Sequence, residues 1–442
     1  MEPLRLGIAG LGTVGGGLLE LIKASGDTIA QRAGRQVVIT GVSARDRAKI
    51  RAVSLKNVTW FDDPVALAKS PDIDVLVELI GGDGDPAKSA LEAALANGKH
   101  VVTANKALIA RHGNALARIA EKSGVALNFE AAVAGGIPIV KTLREALAGN
   151  SITRLYGIMN GTSNFILTKM EQERRSFADV LGEAQQLGYA EADPTFDIGG
   201  FDTAHKLAIL TALAFGTELD VESIYIEGID QITLQDINIA GELGFRIKLL
   251  GVSVQTEAGI EQRVHPTLVP KDSPIADVHG VFNAVAVSGD FVGELMLEGR
   301  GAGAHPTASS VMSDIIDIAR GHIQKPFGVP VSALQPYRTA EMPAHEGGYY
   351  VTMTLQDRPG AVAAVAQRMA EQNISIDSII QRPALGASVD ARGKPPTDVA
   401  TRPVILITHD THERNVREAL SRIESDRHTV DRPRMIRIEK LK

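Results

Sequence analysis

No cysteine occurs anywhere in the 442 residues. Its absence excludes a disulfide framework, a thiolate nucleophile and any zinc or iron–sulfur site built on sulfur, and it fits a cytoplasmic protein. Aromatic residues are scarce, 4 % of the chain with a single tryptophan, so aliphatic side chains and alanine must fill the core. Basic charge is not in excess. The net charge is −7 with the two signs interspersed, which argues against nucleic-acid and membrane partners, because both favour a basic face. Long apolar runs are missing too. The longest, Leu207–Phe215 and Val281–Val287, are far too short to span a bilayer. The amino terminus lacks the charged and apolar regions of a signal peptide and enters a strand at Leu4. The histidines are scattered without ligand spacing, so no catalytic metal is expected.

What remains is the composition of a globular protein, 44 % hydrophobic and 22 % charged, at a length that suggests two to four domains. Leu4–Ala9 reads as a strand. Gly10-Leu11-Gly12-Thr13-Val14-Gly15 follows at once and opens a helical pattern. A G-x-G-x-x-G run between strand and helix is a dinucleotide-binding signature. Gly10 permits the tight turn, Gly12 lets a pyrophosphate approach the backbone, and Gly15 allows close packing of helix on strand. The helix N-terminus then offers free N–H groups to phosphate. An ordinary glycine-rich turn is the competing reading. A second strand, Gln36–Val42, ends in Ser43-Ala44-Arg45-Asp46-Arg47. Arg45 at that strand end slightly favours the 2′-phosphate of NADP, while Asp46 keeps NAD open.

Strands at Asp74–Ile80, His100–Thr103 and Val125–Phe129 alternate with helices at Asp85–Asn97 and Ala107–Ser123. This alternation predicts an α/β fold with a Rossmann-type, doubly wound parallel sheet, whose ligands sit at the carboxyl ends of the strands. Lys106 lies at such an end. The turn Glu130–Pro138 leads to a helix at Ile139–Leu147, and then the texture changes to α+β. Ile152–Ile158 reads as a strand, Asn160-Gly161-Thr162-Ser163-Asn164 as a polar loop, and Phe165–Glu173 as a helix. The densest polar cluster, Gly188–Asp197, runs through Asp202-Thr203-Ala204-His205-Lys206 into the apolar helix Leu207–Phe215. A lysine at the polar end of such a helix can be desolvated toward an acid/base role. Asp202 and Lys206 are also spaced i,i+4, which a plain helix-surface ion pair would explain. His205 reads as structural.

Together these blocks resemble the homoserine dehydrogenase family over roughly residues 5–325; Gly188–Pro194 followed by Asp202…Lys206 is the most specific part. The resemblance implies reversible hydride transfer between L-homoserine and L-aspartate 4-semialdehyde, in threonine and methionine biosynthesis. Lys206 would exchange the hydroxyl proton, with Lys106 beside it. Glu191 and Asp202 would hold the substrate ammonium, supported by Asp197, with Gly161 and Thr162 also at the substrate. Cofactor contacts would come from Gly10, Gly12, Thr13, Val14, Gly15, Arg45, Thr103, Lys106 and Gly303. The carbonyls of Glu130, Val133, Gly135 and Ile137 would hold a monovalent cation, Na+ or K+; a glycine turn needed only for packing is the alternative. His305, beside Gly303, is unusual for the family. It would perturb cofactor contacts or simply be exposed.

Pro326, Pro330, Pro336 and Pro343 mark a linker at 322–347. Beyond it, strands at Tyr349–Leu355, Ile374–Ile380, Val404–Thr408 and Arg434–Ile438 and helices at Ala361–Gln372 and Glu413–Glu424 make a βαββαβ, ferredoxin-like pattern. A loop is expected at 383–402. Asp357-Arg358-Pro359-Gly360 gives this part its resemblance to an ACT domain, which implies pairing into a homodimer or homotetramer and, as a hypothesis, feedback control by L-threonine. A domain that only dimerises is the alternative. The expected divisions are 1–130 with 301–321 for the nucleotide, 131–300 for substrate and dimerisation, and 348–442 for regulation. An aspartate dehydrogenase-like enzyme and a catalytically silent amino-acid sensor remain competing functions. An aspartokinase fusion is not expected, since no kinase-sized segment precedes Leu4.

Overall fold

The computed structural model describes residues 2–340, 342, 345–381 and 401–441. It divides into two compact units. The first comprises 1–231, 249–265 and 278–339; the second comprises 232–248, 266–277 and 340–442.

The first unit opens with Leu4–Ala9 (β1), Val37–Ser43 (β2), Thr59–Phe61 (β3), Val75–Glu78 (β4), His100–Thr103 (β5) and Leu127–Asn128 (β6). They form a six-stranded sheet in the order β3-β2-β1-β4-β5-β6, and every pairing is parallel. The order reverses at β1, so the crevice at the carboxyl ends of β1 and β4 is the switch point where α/β sheets bind ligands. The expected strands are all present; Leu4–Ala9 and His100–Thr103 keep their expected ends, and the other three are shifted or shortened. The short strand β3 and the helix Pro64–Lys69, capped by Asp63, were not foreseen. Apolar side chains from β1, β4 and the helix Thr13–Ala33 share one core with Ala308, Val311, Met312, Ile315 and Ile318 of the helix Ala304–Ala319.

The remainder of this unit is α+β. Ile152–Ile158 (β7) pairs with Phe282–Gly289 (β11), which pairs with Gly293–Arg300 (β12), all antiparallel. Tyr225–Ile226 (β8) joins Gly259–Pro270 (β10), and Phe245–Thr256 (β9) joins β7. Three sequence expectations change here. Asn160–Asn164 is not a loop: the helix runs Gly161–Glu173, with the Asn160 side chain accepting from Ser163 N as its cap. Asp202–Lys206 is not a polar lead-in to a helix beginning at Leu207 but the first turn of the helix Phe201–Phe215, buried from Asp202 to Leu213. A helix apolar on nearly all sides is one that the core surrounds. The segment from 324 to 339 is packed rather than a bare tether: Phe327 is buried against Phe129, ring centroids 5.6 Å apart.

The second unit holds a sheet in which β10, Arg434–Ile438 (β17), Glu346–Gln356 (β13), Thr401–Thr408 (β15) and Ile376–Gln381 (β14) follow one another. Without β10, this is the expected βαββαβ module. Residues Thr267 and Leu268 add a parallel strand beside β17, which the sequence pattern did not suggest. Tyr349, Val351, Met353, Val365, Met369, Leu406, Val416 and Ile423 fill the core under the helices Ala361–Glu371 and Glu413–Ser425. The loop expected at 383–402 lies outside the described residues, apart from Thr401 and Arg402, which begin β15. Among the described residues no helix is long and apolar enough to cross a membrane.

Candidate active site

Among the described residues, two cavities of the first unit border the turn after β1. One, of about 610 Å³, is lined by Thr13 and Val14 of that turn and by Lys106, Asp197, Asp202 and Lys206. The other, of about 570 Å³, is lined by Gly10, Gly12, Arg45, Arg47, Lys49 and Trp60. Two of the three motif glycines leave no room for a side chain. Gly10 has φ +102, and a Cβ there would meet Leu79 O at 2.4 Å; a Cβ at Gly15 would meet Gly10 O at 2.2 Å. Around Gly12 there is open space, as an approaching phosphate requires.

The charged centre is built from four elements. Strand β7 ends at Ile158 and delivers Met159 and Asn160. Phe201–Phe215 presents Asp202 and Lys206 one turn apart. Thr195–Ile198 brings Asp197, and the first turn of Lys106–Ser123 brings Lys106. Lys206 Nζ donates to Asp202 Oδ2 at 2.7 Å and to Met159 O at 2.6 Å. Lys106 Nζ stands 3.2 Å from Asp202 Oδ1. One carboxylate thus serves both ammonium groups. Asn160 Nδ2 donates to Asp202 Oδ2 at 2.9 Å and Asp197 Oδ1 at 2.8 Å.

These surroundings push the two acids apart. Burial works to raise Asp202, but the charges of Lys206 and Lys106 and the hydrogen bonds from Lys206 and Asn160 overcome it, holding this carboxyl below the usual carboxylate range. Asp197 is raised by burial and by the charge of Asp202. Asp202 therefore stays ionised as a fixed counter-charge. The pair Asp202–Lys206 is more than the helix-surface ion pair that its spacing allowed: both side chains are at most 10 % exposed.

A second network ties down the cavity rim. Glu78, fully buried at the end of β4, accepts from Ile80 N, Gly81 N and Thr103 Oγ1. Asn105 donates from its backbone to Thr103 Oγ1 and from its side chain to Gly82 O, and caps the Lys106 helix through Leu108 N. Thr103 is buried behind the rim, its hydroxyl committed to Glu78.

The other sequence candidates are placed as follows. Gly161, Thr162, Gly135 and Gly303 line the larger cavity; Thr162 Oγ1 donates to Tyr189 O. Glu191 lies in an exposed turn away from the lining, where its carbonyl accepts from Gln185. His305 is exposed and 2.9 Å from Glu20. His205 is buried against Phe196 at 5.5 Å between ring centroids. In the turn Glu130–Ile137, the carbonyls of Glu130, Gly135 and Ile137 accept from Val133 N, Ser310 Oγ and Ile139 N; each keeps a second lone pair for a ligand. The Glu130 carboxylate accepts from Val140 N and Lys141 N, and its backbone N–H donates to Asp314. Burial, then the charge of Asp314, pushes Glu130 up to about 7. Asn160, Glu78 and Asp314 were not foreseen as site residues. For Asn160 a signal existed: Asn three residues before Ser is a helix-cap spacing.

The chain is similar to known proteins over its whole length. Residues 10–130 match the NAD-binding domain of homoserine dehydrogenase, residues 138–316 match the homoserine dehydrogenase family, and residues 349–428 match the ACT domain. A homoserine dehydrogenase of Neisseria gonorrhoeae is 46 % identical, with the whole of both chains covered. The crystal structure of a homoserine dehydrogenase from Thiobacillus denitrificans superposes with a TM-score of 0.92 at 44 % identity, covering 100 % of this chain and 99 % of that one. A hyperthermophilic archaeal homoserine dehydrogenase in complex with NADPH gives a TM-score of 0.60 at 28 % identity, covering 72 % of this chain and 97 % of that one.

Proposed function

The chain belongs to the homoserine dehydrogenase family of NAD(P)-dependent oxidoreductases, and from that premise we propose that Lys206 is the group that exchanges the substrate's hydroxyl proton. The observation that carries this reading is the Asp202 carboxylate shared by Lys206 and Lys106 in the larger cavity. A lysine ammonium has three N–H donors. Two of those on Lys206 are held, by Met159 O and Asp202, and the third is left for a ligand. When L-aspartate 4-semialdehyde is reduced, Lys206 Nζ gives this proton to the carbonyl oxygen. When L-homoserine is oxidised, the neutral amine takes the hydroxyl proton. The nicotinamide cofactor, when bound, supplies or receives the hydride. Lys106 places a second positive charge beside the same oxygen, where negative charge develops. Asp197 and Asp202 attract the substrate ammonium, with Gly161 and Thr162 along the same wall. Glu191 reaches the ammonium only if its turn folds inward on binding.

NADP is the proposed cofactor. Arg45, Arg47, Lys49 and Arg51 surround the smaller cavity, and the guanidinium groups of Arg47 and Arg51 lie 5.7 and 5.3 Å from the Trp60 ring centre. Asp46 turns its carboxylate back to its own loop, accepting from Ala48 N and Lys49 N. A 2′-phosphate would therefore meet cations. Arg45→Ala is expected to lower the NADP/NAD ratio of kcat/KM by about 10- to 100-fold, as loss of a charged hydrogen bond does. Steady-state kinetics with both cofactors checks this, and an unchanged ratio would return the preference to NAD or to neither. The carbonyls of Glu130, Val133, Gly135 and Ile137 are the proposed seat of Na+ or K+.

The second unit is proposed to be the regulatory module. It would sense L-threonine in a cytoplasmic enzyme of threonine and methionine biosynthesis, assembled as a homodimer or homotetramer. Activity is expected to fall as L-threonine is titrated in, with heat of binding in calorimetry. No heat and no inhibition would leave the module a pairing element only.

A further inference from the structure

Asn283 is the second residue of β11 and is 1 % exposed. It lines the larger cavity. Both polar atoms of its side chain, Nδ2 and Oδ1, are buried without a hydrogen-bond partner among the described residues. Such a group costs free energy as long as it is unmet, and it marks a place where a partner is expected. The side chain is also confined. Asn283 is opposite Gly299 in the β11–β12 ladder, and a Cβ on Gly301 would lie 2.0 Å from Asn283 Nδ2. Only glycine at 301 leaves the amide room where it is.

We propose that Asn283 recognises the carboxamide of the cofactor's nicotinamide, pairing amide to amide from the cavity wall. This rests on the placement of the nicotinamide in that cavity. Two features select the ligand. The unmet groups are one donor and one acceptor on a neutral side chain. A primary carboxamide answers both, accepting from Nδ2 and donating to Oδ1, whereas a carboxylate would set its lone pairs against Oδ1. The substrate's charged head is the other donor–acceptor source, but it has the charged groups Asp197, Asp202 and Lys106 to attract it. The second feature is position. Asn283 packs on Gly301, the start of the run Gly301–Gly303 that enters the helix Ala304–Ala319 and lines the cavity together with Thr13 and Val14. Holding the carboxamide there fixes which face of the ring is turned to the substrate.

The test is binding, followed by the fluorescence of the reduced cofactor. NADPH is compared with its analogue carrying an acetyl group in place of the carboxamide, which can accept but not donate. Wild type is expected to prefer NADPH about tenfold, the worth of one neutral hydrogen bond. Asn283→Ala is expected to bind the two alike. Asn283→Leu, of similar volume and offering neither donor nor acceptor, is measured in parallel should the alanine variant lose its cooperative thermal transition, and it too is expected to lose the preference. A wild-type preference kept in the folded variant would overturn the proposal alone. So would a variant that keeps the preference and instead loses affinity for L-homoserine in the presence of NADPH. If wild type bound neither cofactor form, the reading of the cavity itself would fall.

Discussion

Replacing Lys206 by alanine is expected to lower kcat for L-homoserine oxidation by roughly 10²- to 10⁴-fold, the usual worth of a positioned proton-transfer group, while cofactor binding stays near the wild-type value. The expectation comes from where Nζ sits. It is anchored at 2.6 and 2.7 Å by Met159 O and Asp202, so the amine is aimed before any substrate arrives and little ordering remains to be done in the transition state. The loss should fall on kcat more than on KM, because the proton is exchanged only as the reaction proceeds. Absorbance at 340 nm with L-homoserine and NADP, beside a fluorescence titration of NADPH, separates the two effects. A variant with wild-type kcat would assign the proton to another group, Lys106 first.

Asp202→Asn carries the other large effect, and it should appear in stability as well as in rate. The substitution keeps the shape but leaves two ammonium groups beside a neutral amide. Breaking a buried ion pair by removing one partner costs about 3–5 kcal/mol; the lower end applies here, since Lys106 keeps 33 % of its side chain in solvent. The pH dependence has a definite sign. The folded carboxyl lies below its unfolded value, since Lys206, Lys106 and Asn160 outweigh burial. Its ionisation therefore stabilises the fold fully above the unfolded value near pH 4, and this is lost as pH falls toward the folded value. Thermal unfolding of wild type and variant should differ most near neutral pH and converge progressively below about pH 4. A gap that stays constant down to pH 2 would show that packing, not charge, holds Asp202.

The parts of the chain that sequence reading reached were those with a strong local pattern. β1 and β7 and the glycine turn combine an apolar run with a sharp boundary, and their limits agree with the structure. Lys106 and Lys206 stand out because each interrupts an apolar context. What escaped are groups whose work depends on distant partners. Asn283 is one polar residue at the start of an apolar strand, and only Gly301 and the cavity give it meaning. Glu78 looks like a strand-end acid until Thr103 and two backbone N–H groups are folded onto it. The stretch Gly161-Thr162-Ser163-Asn164 has the composition of a loop, because such residues are poor helix formers. The Asn160 cap and the burial of Ser163, Asn164 and Phe165 outweigh that weak preference. The strand added beside β17 by Thr267 and Leu268 is more than 160 residues away along the chain, beyond any local signal.

The helix Ala304–Ala319 shares its core with β1 and with the helix Thr13–Ala33. During synthesis that partner does not exist until residue 319 has left the ribosome. At ordinary translation rates the interval after Ala33 is on the order of tens of seconds. Throughout it, Leu18 and Leu19 lack the neighbours Val311 and Ile315 that share their core in the finished protein. The cofactor-binding half is thus begun first and closed late, with that part of its core uncovered while the chain is nascent. A chain terminated before 304 is expected to aggregate rather than to fold as an independent nucleotide-binding fragment.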